Sequence, residues 1–169
     1  MRFLIIFIFL LSNSFAYEVP DIKNIVINDQ LKKYDSLTFL DAKKRELNLT
    51  DYKGNLIILN FWATWCAPCK KEMPSLDLLQ NNKNLSNLKI FAIDISNESK
   101  KKVDSFFKDL NIENFDPYFD APTTLAKTFS LRGVPTSILI DKDGKEFSRI
   151  MGSIDFDDKI FINWLKTYN

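Results

Sequence analysis

The sequence predicts an α/β domain with a mixed central sheet flanked by helices. Three short apolar runs, 56–62, 88–95 and 137–140, are too short for buried helices and rich in β-formers, as strands covered on both faces are. Stretches with helical periodicity separate them, which indicates a sheet that is at least partly parallel. The 169 residues are 46% hydrophobic and 27% charged with only four Gly and six Pro, so disorder and collagen-like repeats are excluded.

The chain opens with Met1-Arg2, an unbroken apolar run from Phe3 to Leu11, and the small residues Ser14 and Ala16 on either side of Phe15. This is the pattern of a cleaved secretory signal over 1–16. The run is shorter than the roughly 20 residues that span a bilayer, so an uncleaved anchor is the alternative. Cleavage removes only Arg2 of the 23 basic residues, leaving 22 against 22 acidic ones. A neutral mature chain has no electrostatic footprint for nucleic acid. Residues 17–36 read as an amino-terminal extension, and 37–169 as one domain.

Within that domain, Leu37 to Asp41 and Arg45 to Leu49 are expected to form a short hairpin. The strand 56–62 follows, then a helix from Pro68 to about Asn82, the strand 88–95, and a helix over 99–110 with Val103, Phe106, Phe107 and Leu110 on one face. Helices over 123–129 and 156–166 complete the pattern. Asp141-Lys142-Asp143-Gly144 is a turn signal, so strand 137–140 folds back on an antiparallel partner ending near Met151, making that hairpin one edge of the sheet.

The chain has no histidine and two cysteines, Cys66 and Cys69. Ser-His-Asp hydrolysis, His-based metal sites and covalent haem attachment through C-x-x-C-H are thereby removed. Cys66 falls where a buried strand meets a helix. Unpaired N–H groups and the helix dipole stabilise an anion there, so the thiol is shifted toward its nucleophilic thiolate form. Cys69 lies one turn further in, and Pro68 is tolerated in a first turn. A structural disulfide is the plainer reading, yet a four-residue loop restrains the unfolded chain little, about 2 kcal/mol against about 4.7 for 100 residues. Zinc would need two further ligands, and the chain has neither His nor a third Cys.

The segment from Phe61 to Lys70, Phe-Trp-Ala-Thr-Trp-Cys-Ala-Pro-Cys-Lys, resembles the active site of the thioredoxin superfamily, in particular its exported TlpA/ResA-like branch. Lys71-Glu72-Met73-Pro74, Arg132 to Thr136 and Ile140 to Gly144 extend the similarity, which covers about Leu37 to Asn169. It implies a thioredoxin-like fold with an N-terminal β-hairpin, a central insertion before Pro135, and a cis Val134-Pro135 bond. It further implies a thiol-disulfide oxidoreductase with Cys66 as nucleophile, Cys69 as resolving thiol, and Trp65, Ala67, Pro68, Val134 and Pro135 facing the substrate. The partners implied are disulfide-containing exported proteins, among them apocytochrome c, and a membrane thiol transporter supplying electrons. No cofactor is expected, the chain is expected to be monomeric, and the compartment is periplasmic or otherwise extracytoplasmic.

Thioredoxin carries a buried aspartate where this chain has Asn60, which cannot titrate. Glu72, three residues after Cys69, is the candidate to replace it: on the residues alone it reads as an exposed helical acid, but the resemblance implies a functional glutamate at this position. Trp62 and Trp65 either shape the apolar surround or are simply core. The pair Ala67-Pro68 does not place the protein on the scale of C-x-x-C potentials, about −270 to −120 mV, so an oxidant remains an alternative to the reductant that the resemblance favours. Two thiolates with Met73 nearby also leave Cu(I) binding open. A peroxidase is not favoured, since neither cysteine has the peroxiredoxin Pro and Thr ahead of it.

Overall fold

The computed structural model describes residues 20–120 and 124–169. The expected leader over 1–16 lies outside the described residues, and so does Thr123, where the sequence places the start of the third helix. Among the described residues, no helix is long and apolar enough to cross a membrane.

Eight strands form one mixed sheet: β1 (Ile25–Lys33), β2 (Thr38–Leu40), β3 (Glu46–Asn48), β4 (Leu56–Trp62), β5 (Leu88–Asp94), β6 (Pro117–Phe119), β7 (Thr136–Ile140) and β8 (Lys145–Met151). Their spatial order is β1-β8-β7-β4-β5-β6-β2-β3. The centre, β4-β5-β6, is parallel, and β7 runs antiparallel to β4. The helices are α1 (Ala67–Gln80), α2 (Lys100–Asp109), α3 (Thr124–Thr128) and α4 (Lys159–Leu165). The expected amino-terminal hairpin is β2-β3, which pairs with β6. The inserted unit is α2 with β6, and Asp77 of α1 anchors the turn between them by accepting the Glu113 and Asn114 N–H groups.

Every residue of β4 is buried, because both faces of the strand are covered. Leu56, Ile58 and Trp62 point to the face that holds α1, α2 and α4, while Ile57, Leu59 and Phe61 meet Phe39, Leu125 and Phe129 on the other. This period-2 alternation places Asn60 in phase with Trp62, beneath α1. Trp62 is core, stacked on Phe106 at 4.6 Å between centroids.

Two expectations are corrected. The β7-β8 hairpin is not the sheet edge, because β1, from the extension assigned to 17–36, pairs antiparallel outside β8, and the sheet therefore reaches beyond the boundary drawn at Leu37. The last helix begins at Lys159 and not at Phe156. Asp158 caps it by accepting the Ile160 and Phe161 N–H groups, and Phe156 is a core residue of the preceding turn.

Candidate active site

At the carboxyl end of β4 the chain turns directly into α1, with Cys66 as its N-cap and Ala67-Pro68 in the first turn. Cys66 and Cys69 are joined in a disulfide, with Cα atoms 5.2 Å apart. The Cys69 N–H points at Cys66 Sγ at 3.2 Å. When the bond is reduced, that donor and the positive end of the helix dipole favour negative charge on Cys66. Cys66 is 3% exposed and Cys69 wholly buried, so the outer sulfur is the accessible one.

The surface over the disulfide is apolar. Trp65 is 67% exposed, in contrast to the buried Trp62, and Ala67 and Pro68 are exposed beside it. Phe61 pairs with Thr136 across β4 and β7, which brings Pro135 to the sheet end that carries Cys66. The Val134-Pro135 bond is cis. Thr64 donates to Glu98, itself paired with Lys102, which fastens the loop before Cys66 to the inserted unit.

Glu72 is buried at 2% exposure. It shares one face of α1 with Cys69, Met73 and Leu76, as i+3 and i+4 spacings require. Its Oε1 accepts an N–H of Asn60 at 2.9 Å, and the second amide hydrogen of Asn60 goes to Ser137 Oγ at 2.9 Å. Burial pushes the Glu72 carboxyl up to about 7. Asn60, the Ile154 N–H and the Ser153 hydroxyl pull it back only in part, and Oε2 makes no hydrogen bond of good geometry among the described residues.

Sequence reasoning misses two parts of this site. Ser137 reads only as part of an apolar strand, although it lies directly opposite Asn60 in the β4-β7 ladder. The segment after β8 reads as a connection, yet it binds the site together. The Gly152 N–H donates to Pro135 O, Asn24 donates to Ser153 O, and the Phe156 N–H reaches Ser75 of α1. Gly152 has φ +106°, and a Cβ there would meet Asn24 Nδ2 at 3.3 Å. Gly152→Ala is therefore expected to lower stability by about 1–2 kcal/mol, measured by thermal unfolding of the oxidised protein.

Among the described residues there is no cluster of three or more His, Cys, Asp or Glu suited to a metal. Met73, considered above as a copper ligand, lies wholly within the core.

A C-x-x-C disulfide on the first turn of a helix, at the end of a parallel strand and with a cis-proline at the same end of the sheet, defines a thioredoxin-like redox protein. The model of the AhpC/TSA family matches residues 27–145, and the chain belongs to that family. It is 36% identical over 121 residues to a thiol-disulfide oxidoreductase ResA of Bacillus cereus, covering 72% of this chain and 69% of that one. The ResA of Bacillus subtilis is 32% identical over 114 residues, 68% of this chain and 63% of its own. Among solved structures, a putative thiol:disulfide interchange protein DsbE from Chlorobium tepidum has a TM-score of 0.71 at 23% identity, covering 83% of this chain and 97% of that one. The chain is a thiol-disulfide oxidoreductase.

Proposed function

We propose that the protein is an exported reductant of disulfides in partner proteins, with Cys66 as nucleophile, Cys69 as resolving thiol and Glu72 as the group that moves the resolving thiol's proton. The observation that carries this reading is the buried carboxyl on the same face of α1 as the buried cysteine, one turn from it. Cys66 thiolate attacks one sulfur of the partner disulfide, that S–S bond breaks, and the departing partner thiolate takes up a proton from water. Cys69 then gives its proton to the Glu72 carboxylate and attacks Cys66 Sγ. The mixed disulfide breaks, and the second partner thiolate leaves and takes up the proton that Glu72 releases. Two electrons and two protons pass to the partner, and Cys66 and Cys69 end as the disulfide.

Trp65, Ala67, Pro68 and Val134 form the docking surface in this reading, with Pro135 buried beneath it, an apolar patch that an extended segment around the partner's disulfide can cover. The resemblance supports apocytochrome c as partner, a membrane thiol transporter as electron donor and a monomer as the working form. The leader pattern at 1–16 supports an extracytoplasmic site of action. The test is Cys69→Ser, which is expected to retain partner proteins on Cys66 as mixed disulfides, released by dithiothreitol and identified by mass spectrometry. An exported-protein extract that yields no such adduct overturns the mechanism, and a measured potential near about −120 mV overturns the reductant direction.

A further inference from the structure

Two buried acceptor atoms behind the disulfide make no hydrogen bond of good geometry among the described residues: Glu72 Oε2 and Asn60 Oδ1. The Asn60 amide spends both hydrogens on one side, on Glu72 Oε1 and on Ser137 Oγ. Glu72 can therefore take up a proton on Oε2 while Oε1 goes on accepting the Asn60 N–H, a bond stronger to the carboxylate than to the carboxylic acid. One side chain thus holds the carboxyl group in both states and favours the anion.

We propose that Asn60 is a positioning residue for Glu72, holding its carboxyl group on the Cys69 face of α1 in both protonation states through the bond to Oε1, with Ser137 holding the amide in turn. This rests on the reading of Glu72 as the mover of the Cys69 proton. Asn60 is fixed where the role needs it, wholly buried in β4 and opposite Ser137 in the ladder. The groups that face Glu72 are Cys69 from its own helix, Asn60 from β4, and Ser153 and Ile154 from the segment after β8. Cys69 is the only titratable one among these, and only when the disulfide is reduced. Lys71, Asp155 and Asp157 line an outer groove together with that segment, and no charged side chain enters the balance that sets the Glu72 proton. The Asn60 amide, fixed in the sheet and bonded to Oε1, is the group placed to sense that proton.

The first test uses the full-length oxidised protein and no Asn60 substitution. Between about pH 5 and about pH 9, the Asn60 side-chain amide NMR signals are expected to shift with the same midpoint as the Glu72 carboxyl carbon, and to stay fixed in Glu72→Gln. An amide signal that stands still while Glu72 titrates overturns the proposal. The second test follows resolution of a Cys66 mixed disulfide by Cys69. Asn60→Ala is expected to slow it about tenfold and displace the midpoint of its pH profile, the loss of one charge-assisted hydrogen bond. Ser137→Ala, a smaller change should Asn60→Ala fold poorly, is expected to displace the midpoint in the same direction. If these variants keep the wild-type midpoint while Glu72→Gln slows resolution, the proposal fails and the Glu72 reading stands. If Glu72→Gln resolves at the wild-type rate, the Glu72 reading fails, and the titration of the wild-type amide still decides whether Asn60 follows the proton.

Discussion

Arg149→Ala is expected to destabilise the fold by roughly 3–5 kcal/mol, because it leaves a carboxylate buried without its counter-charge. Glu146 on β8 is 1% exposed. Burial alone would push its carboxyl up, yet hydrogen bonds from Arg149, Tyr34 and Asn28 outweigh that and hold it below the usual range. The Arg149 Nη2 and the Asn28 amide each lie 3.0 Å from a Glu146 oxygen, and the Tyr34 hydroxyl donates to the same group. A lowered folded-state value means that Glu146 stabilises the protein above its unfolded value of 4.5, and that this contribution is lost as pH falls through the folded value. In Arg149→Ala the sign reverses, since desolvation then dominates. The penalty should be full at neutral pH and shrink as acid protonates Glu146. Urea unfolding of wild type and variant at about pH 7 and about pH 4.5 measures both parts, and the double variant Arg149→Met with Glu146→Gln should recover most of the loss. The Arg149 Nη1 also donates to Phe129 O at 2.6 Å, at the head of the loop that ends in Val134-Pro135, so the substitution should loosen the substrate side of the site as well.

That cluster was not legible in the sequence, and the reason is physical. β1 is an edge strand with mostly exposed residues after Ile27, so it lacks the continuous apolar run by which β4, β5 and β7 announce themselves. Its contribution is polar: Asn28 and the nearby Tyr34 reach Glu146 across 118 and 112 residues of sequence. The two cysteines were legible because their chemistry needs a strand end and a helix start, and both are local signals. The inward face of Glu72 was not local. A helical acid is exposed by default, and only the resemblance at that position pointed the other way. Its partners Asn60 and Ser137 are brought together by strand register, which a single sequence does not disclose. Trp62 and Trp65 show the same limit, since they differ only in whether the residue precedes or follows the end of β4.

Glu72→Gln is expected to make the oxidised protein more stable at about pH 8 and a poorer enzyme at about pH 6. The Glu72 carboxyl is raised from 4.5 to about 7 by burial. Between those values the native state keeps a proton that the unfolded chain releases, so wild-type stability falls as pH rises through the window. Above it the full cost of a buried carboxylate is present, on the order of 3 kcal/mol. Glutamine is neutral at every pH, keeps an acceptor for Asn60 and adds a donor near Ser153, so it removes that cost. Urea midpoints should nearly coincide at about pH 5 and separate in favour of the variant at about pH 8. Kinetically the change runs the other way: without a base beside it, Cys69 must ionise unaided, and loss of a positioned base slows a step about 100-fold or more. The defect should fade toward high pH, where thiols ionise by themselves, and more so because the variant lacks the negative neighbour that holds the thiol proton in place. Equal urea midpoints at about pH 8, or a resolution defect independent of pH, would mean that Glu72 serves packing and not proton transfer. The two opposed responses have one cause: the desolvation that makes Glu72 costly to bury as an anion also keeps it able to accept and return a proton near neutral pH.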